Sequence, residues 1–92
     1  MNLNQQILLL EKLSNKKVIL IEKWVEIEST NISKVDYNKQ TADLKIKFLS
    51  YPKSIYIFKR VPFDVYKGLM DNKSKGKFFH DKIKNKFEFI MN

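Results

Sequence analysis

The sequence predicts an α+β domain: a small antiparallel β-meander with helices on one face and an N-terminal helical extension. Three observations carry that prediction. Leu44, Ile46 and Phe48 alternate with Lys45 and Lys47, the period of a half-buried strand. Ile55, Tyr56, Ile57 and Phe58 are β-branched or aromatic, the types that suit a pleated, packed surface. Val65, Tyr66, Leu69 and Met70 then recur at helical spacing.

In chain order, Leu3, Ile7 and Leu10, with Leu9 and Leu13, make one apolar helical face near the start. Residues 1–23 form the helical extension, and residues 24–92 the α+β domain. Val18 to Glu28 reads either as more helix through Val18, Ile21 and Val25 or as a strand with Trp24, Val25 and Ile27; the reading taken is helix to about Lys23 and then a short extended segment. Ser29-Thr30-Asn31 is a turn, Ile32 to Asn38 a strand, and Tyr37 to Gln40 the next turn. After the Leu44–Phe48 strand, Tyr51-Pro52-Lys53-Ser54 is expected to reverse the chain, and Ile55 to Arg60 to pair back antiparallel. Pro62 breaks that strand and suits the first turn of a helix, where its missing N–H costs nothing. Asp64 complements the positive helix end. Lys67 and Asp71 sit four apart on the solvent side. Gly68, costing about 1 kcal/mol in a helix interior, points to close approach across it. Ser74 caps a second helix with Phe78, Phe79 and Ile83 on its apolar side. Phe87-Glu88-Phe89 alternates as a closing strand.

Ninety-two residues make one domain with a modest core. A hydrophobic fraction of 43%, with 13% aromatic, argues for a packed globule rather than disorder. Cysteine is absent, which excludes disulfides and thiolate chemistry. The first residues lack a basic n-region and a small-residue cleavage site, and Val18 to Ile21 is too short to span a bilayer, so a cytoplasmic protein is expected. The net charge is +8, supplied by residues 34–92, while residues 1–33 balance. Such a domain attracts polyanions, nucleic acid first. Solvating lysines in a Lys-, Asn- and Ile-rich chain from an AT-rich genome are the plainer reading.

Residues from about Ile27 to Phe89 resemble the KTSC domain, a small module found alone in bacterial and phage proteins and at the C-terminus of some lysyl-tRNA synthetases. The resemblance runs through Ile27-Glu28-Ser29-Thr30-Asn31-Ile32, then Tyr37, then the Leu44–Phe48 strand. It continues through Tyr56-Ile57-Phe58, Val61-Pro62, Val65-Tyr66 and Ser74-Lys75-Gly76-Lys77-Phe78-Phe79, and ends on Ile83-Lys84 and Phe87. Thr30 replaces a second serine, Phe58 a second tyrosine, and the Tyr-Pro-Lys-Ser segment a short glycine turn. The first 23 residues lie outside the similarity. The resemblance implies an RNA-binding role.

Two candidate sites follow from the residues. Tyr56 and Phe58 share a strand face, with Arg60, Lys45 and Lys47 nearby; RNA modules stack bases on such aromatic and basic sheets. The competing reading makes the two rings core beneath the first helix, since one residue of hairpin register exchanges the faces. The second site is Lys73, Ser74, Lys75 and Lys77 with Lys82, Lys84 and Lys86. There a helix start and surrounding lysines offer phosphate contacts, against an ordinary cap on a solvated face. Walker spacing is absent, so nucleotide hydrolysis is not implied. His80 stands without a partner cluster, and neither metal-ligand spacing nor a catalytic constellation is present, so no enzyme, no cofactor and no metal are expected.

Two functions remain open. One is a non-catalytic nucleic-acid-binding module, RNA before DNA. The other is a protein-interaction module that docks through Leu3, Ile7 and Leu10 as a partner or dimer face, such as a phage-encoded anti-CRISPR or another inhibitor of host defence.

Overall fold

The computed structural model describes residues 23–92. Five strands form one antiparallel sheet in sequential order: β1 (Val25–Glu26), β2 (Ile32–Asn38), β3 (Asp43–Phe48), β4 (Tyr51–Phe58) and β5 (Phe89–Met91). Between β4 and β5 the chain makes α1 (Phe63–Asp71) and α2 (Lys75–Lys82). The domain is therefore α+β, a β-meander with two helices. The helical extension predicted for residues 1–23, with Leu3, Ile7 and Leu10, lies outside the described residues except for Lys23.

Strand β3 sets the layers. Leu44 and Ile46 are fully buried, as are Ile32 and Val35 on β2. Pairing places Leu44 opposite Phe58 and Ile46 opposite Tyr56, so these residues share one face. Val61, Leu69, Phe79 and Ile83 close over it from the helical side. Each fully buried aliphatic side chain contributes roughly 1.5–3 kcal/mol relative to exposure. On the other face, Lys45 lies beside Ile57, and Ile57 beside Ile90. Lys34 and Lys47 hold their ammonium groups 5.5 and 5.8 Å from the Trp24 ring centre. No helix among the described residues is long and apolar enough to cross a membrane.

Tyr37 ties the meander to the helices. Its hydroxyl donates to the Val61 carbonyl at 2.6 Å, and its ring stacks on Tyr66 of α1 with centroids 4.5 Å apart. Burial, with the Asp64 carboxylate adding to it, pushes the Tyr37 phenol above its ordinary pKa. Val61 also donates its N–H to the Ala42 carbonyl in the β2–β3 turn. The Val61-Pro62 step that opens α1 is thereby fixed from two sides.

One open segment is decided and three expectations change. Val25–Glu26 is a strand paired with β2, which decides the described part of the ambiguous segment. Tyr51-Pro52-Lys53-Ser54 is not the turn: Leu49 and Ser50 reverse the chain, and β4 begins at Tyr51. A bulge permits this, because Ile46 faces Tyr56 whereas Phe48 faces Tyr51. Strand β4 ends at Phe58, and Arg60 sits in left-handed backbone (φ 56°), where a strand cannot continue. The closing strand is Phe89–Met91, two residues later than Phe87-Glu88-Phe89. Phe87 packs against the core instead.

Gly68 meets the predicted close approach. A Cβ there would lie 2.7 Å from Cζ of Phe78, so the glycine seats α2 against α1. Alanine in a helix ordinarily gains about 1 kcal/mol over glycine, but overpacking costs about 1–3 kcal/mol. Gly68→Ala is expected to lower stability by about 1 kcal/mol, and the same substitution in a Phe78→Leu background to raise it. Urea unfolding of that double-mutant cycle is the check. An equal Gly68→Ala increment in both backgrounds would show that the Phe78 ring is not the obstacle.

Candidate nucleic-acid interface

The start of α2 is built from local hydrogen bonds. Asn72 Oδ1 accepts from the Ser74 N–H at 2.9 Å, and Ser74 Oγ accepts from the Lys77 N–H at 3.4 Å, the predicted cap. Across from it, Ser29 Oγ accepts from the N–H groups of Asn31 and Ile32 and shapes the β1–β2 turn. The Asn31 amide packs directly on Gly76, so a Cβ at Gly76 would collide with Asn31 Oδ1. Segments 45 residues apart thus meet around a polar cavity of about 420 Å³ lined by Ser29, Thr30, Lys73, Ser74, Lys75 and Glu28.

The predicted cations divide by pairing. Lys77 Nζ lies 2.9 Å from Asp81 Oδ2, and Arg60 Nη2 lies 2.8 Å from Glu88 Oε1. Lys75 Nζ donates to the Asn72 carbonyl. The exposed ammonium groups of Lys73, Lys82, Lys84 and Lys86 make no ion pair or hydrogen bond among the described residues, and neither does that of Lys53 on β4. His80 is exposed, with Nδ1 3.3 Å from Asp81 Oδ1. Among the described residues, no group of acidic or histidine side chains could hold a metal ion.

Tyr56 and Phe58 face the helices, with Phe58 only 3% exposed. They do not form an open platform on the sheet, whose opposite face carries Ile55 and Ile57. They do line a second cavity, of about 400 Å³, with Phe48, Phe79, Tyr51 and Phe89. The rings meet edge-on or tilted: Phe48 and Tyr56 at 5.2 Å, Phe58 and Phe79 at 5.5 Å, Tyr56 and Phe89 at 5.7 Å. Lys84 and Asn85 complete the rim. Asn85 adopts φ 65°, a conformation Asn tolerates better than most residues, and it turns the chain away from α2.

Tyr56, Phe58 and Lys84 therefore converge on one cavity, while Lys73, Ser74 and Lys75 converge on another. Arg60, Lys77, Lys82 and Lys86 line neither. Leu3, Ile7 and Leu10 lie outside the described residues. Tyr51, Phe48 and Phe89 were not foreseen at the site. The bulge reverses the parity of β4 between Tyr51 and Tyr56, so simple alternation does not join the two.

A family model for the KTSC domain matches residues 28–87. The chain belongs to the KTSC domain family. It is also similar to the crystal structure of a KTSC domain protein from Yersinia pestis. That match has a TM-score of 0.69 and 27% identity, and covers 76% of this chain and 96% of the other. No curated protein matches the chain. The KTSC motifs acquire physical roles here: Ser29 shapes the turn, Tyr37 anchors the Val61-Pro62 step, and Gly76 admits Asn31.

Hydrogen bonds from Lys77 and then His80 hold the Asp81 carboxyl below its ordinary pKa. With a depressed folded pKa, the contribution of this pair is present above the ordinary carboxylate range and is lost as pH falls through the lowered value. NMR titration should find the Asp81 midpoint below that of an unperturbed aspartate and rising in Lys77→Gln. An unchanged midpoint in that variant would mean the lysine is not the cause.

Proposed function

We propose that this KTSC domain is a small, non-catalytic nucleic-acid-binding module of the cytoplasm, acting on RNA before DNA. The observation that carries the reading is the set of exposed lysines around α2 whose ammonium groups have no partner among the described residues: Lys73, Lys82, Lys84 and Lys86. An ammonium already held by a carboxylate gains little from a phosphate, whereas an unpaired one exchanges only counterions and water. The +8 charge and the RNA-binding role implied by the KTSC resemblance support the same reading. Lys75, Lys77 and Ser74 serve as secondary phosphate contacts at the start of α2.

A second reading rests on the apolar side chains of Leu49, Tyr51, Phe89 and Met91, all more than half exposed. There the chain docks on a protein, with the predicted Leu3, Ile7 and Leu10 face as an additional contact, as a phage-encoded inhibitor of host defence would.

Affinity for an eight-nucleotide single-stranded RNA, followed by fluorescence anisotropy, separates the two. Nucleic-acid binding predicts that log K falls against log salt with a slope of about −0.7 per phosphate contacted. Triple charge reversal at Lys82, Lys84 and Lys86 should abolish binding, while Lys67→Gln, whose ammonium is paired with Asp71, should leave it unchanged. Salt-insensitive affinity, or affinity that survives the triple reversal, contradicts the proposal. Protein docking predicts instead a partner whose capture depends on Leu3, Ile7 and Leu10 and not on those lysines.

A further inference from the structure

The aromatic cavity is the least explained feature of the surface. Its floor is core: Phe58 and Phe79 are buried and hold the fold together. Its rim is not. Tyr51 is 60% exposed and Phe89 51%, and the Tyr51 ring packs on no other aromatic ring among the described residues. A protein surface bearing large uncovered rings beside a cavity is exposing apolar area that water disfavours.

We infer that this cavity receives one unstacked nucleobase of a single-stranded nucleic acid, with Tyr51 and Phe89 as its stacking faces. The inference rests on the nucleic-acid reading above and adds to it the part of the ligand that is recognised. Size restricts the occupant first. About 400 Å³ lies at the low end of the roughly 300–1,000 Å³ typical of small-ligand sites. An α-helix, about 10 Å across with its side chains, does not enter such a space. Charge restricts it next. Among the described residues none of the lining side chains is acidic and the Lys84 ammonium on the rim makes no ion pair or hydrogen bond, and Lys82 and Lys86 flank it in sequence. A neutral, flat, aromatic group tethered to a phosphate chain satisfies both conditions at once. Ser50 and Asn85, also on the lining, offer a hydroxyl and an amide to the base edge.

The test compares the eight-nucleotide RNA with an abasic eight-mer of equal charge. Stacking at one site should make the base-bearing strand bind about five- to 150-fold tighter. Tyr51→Ala should remove most of that difference while leaving the abasic affinity unchanged, and Tyr51→Phe should retain it. Circular dichroism and thermal melting establish that the Tyr51 variants are folded. Equal binding of the two strands, or a Tyr51→Ala protein with undiminished preference, overturns the base pocket and leaves the electrostatic proposal standing. Failure of both strands to bind overturns the nucleic-acid reading and this inference with it, and leaves a protein side chain as the occupant.

Discussion

The placement of Leu44 and Ile46 on one face of β3 is the constraint on which the rest depends. Both are fully buried in the middle of a five-stranded sheet. Antiparallel pairing passes that facing to every neighbour, since directly opposite residues share a face. Val35 and Tyr37 on β2, Tyr56 and Phe58 on β4, and Phe89 and Met91 on β5 are thereby committed to the side that the helices cover. Lys34, Lys45, Lys47, Ile57 and Ile90 are left on the other. The aromatic cavity could not be where it is with the opposite register.

The helices cover only part of this face. An eight-residue helix spans about 12 Å, against about 26 Å for an eight-residue strand such as β4. Gly68 and Phe78 hold α1 and α2 close together, which concentrates the cover over β2, β3 and the end of β4. The corner where β3 turns into β4, beside β5, keeps its aromatic rings partly in solvent. Packing economy in the helical pair and the open aromatic cavity are two consequences of the same geometry.

Local features were legible in the sequence because their causes are local. The β2 limits, the Ser74 cap, the Lys67–Asp71 pair at 3.0 Å and the crowding at Gly68 all follow from residues within a few positions, or from one anomalous residue type. Facing was not legible. Tyr56 and Phe58 alternate with Ile55 and Ile57 equally well in either orientation, and only pairing with β3 decides between them. The start of β4 is not legible because Tyr51-Pro52-Lys53-Ser54 has turn composition, whereas Pro52 is tolerated in a segment adjoining a bulge. The closing strand was displaced because Phe87 alternates with Phe89 in the sequence. In the fold Phe87 turns into the core, while the Glu88 carbonyl accepts from the Lys59 N–H.

Candidate contacts were legible by type and less so by arrangement. The lysine-dense stretch was visible, but nothing in it distinguishes Lys77, held by Asp81, from Lys84, which has no such partner among the described residues. Ion pairing one helical turn away is a property of rotamers and of where the helix starts. The two faces of the domain nevertheless make opposite claims about where a ligand sits, and the single tryptophan reports on one of them. Chemical-shift mapping of the labelled protein with a single-stranded RNA eight-mer is the most direct test. Binding at the aromatic cavity predicts that Tyr51, Lys84, Asn85 and Phe89 shift while the Trp24 indole, on the opposite side of the sheet, does not. Shifts centred on Trp24, Ile57 and Ile90, with the aromatic cavity silent, would contradict it.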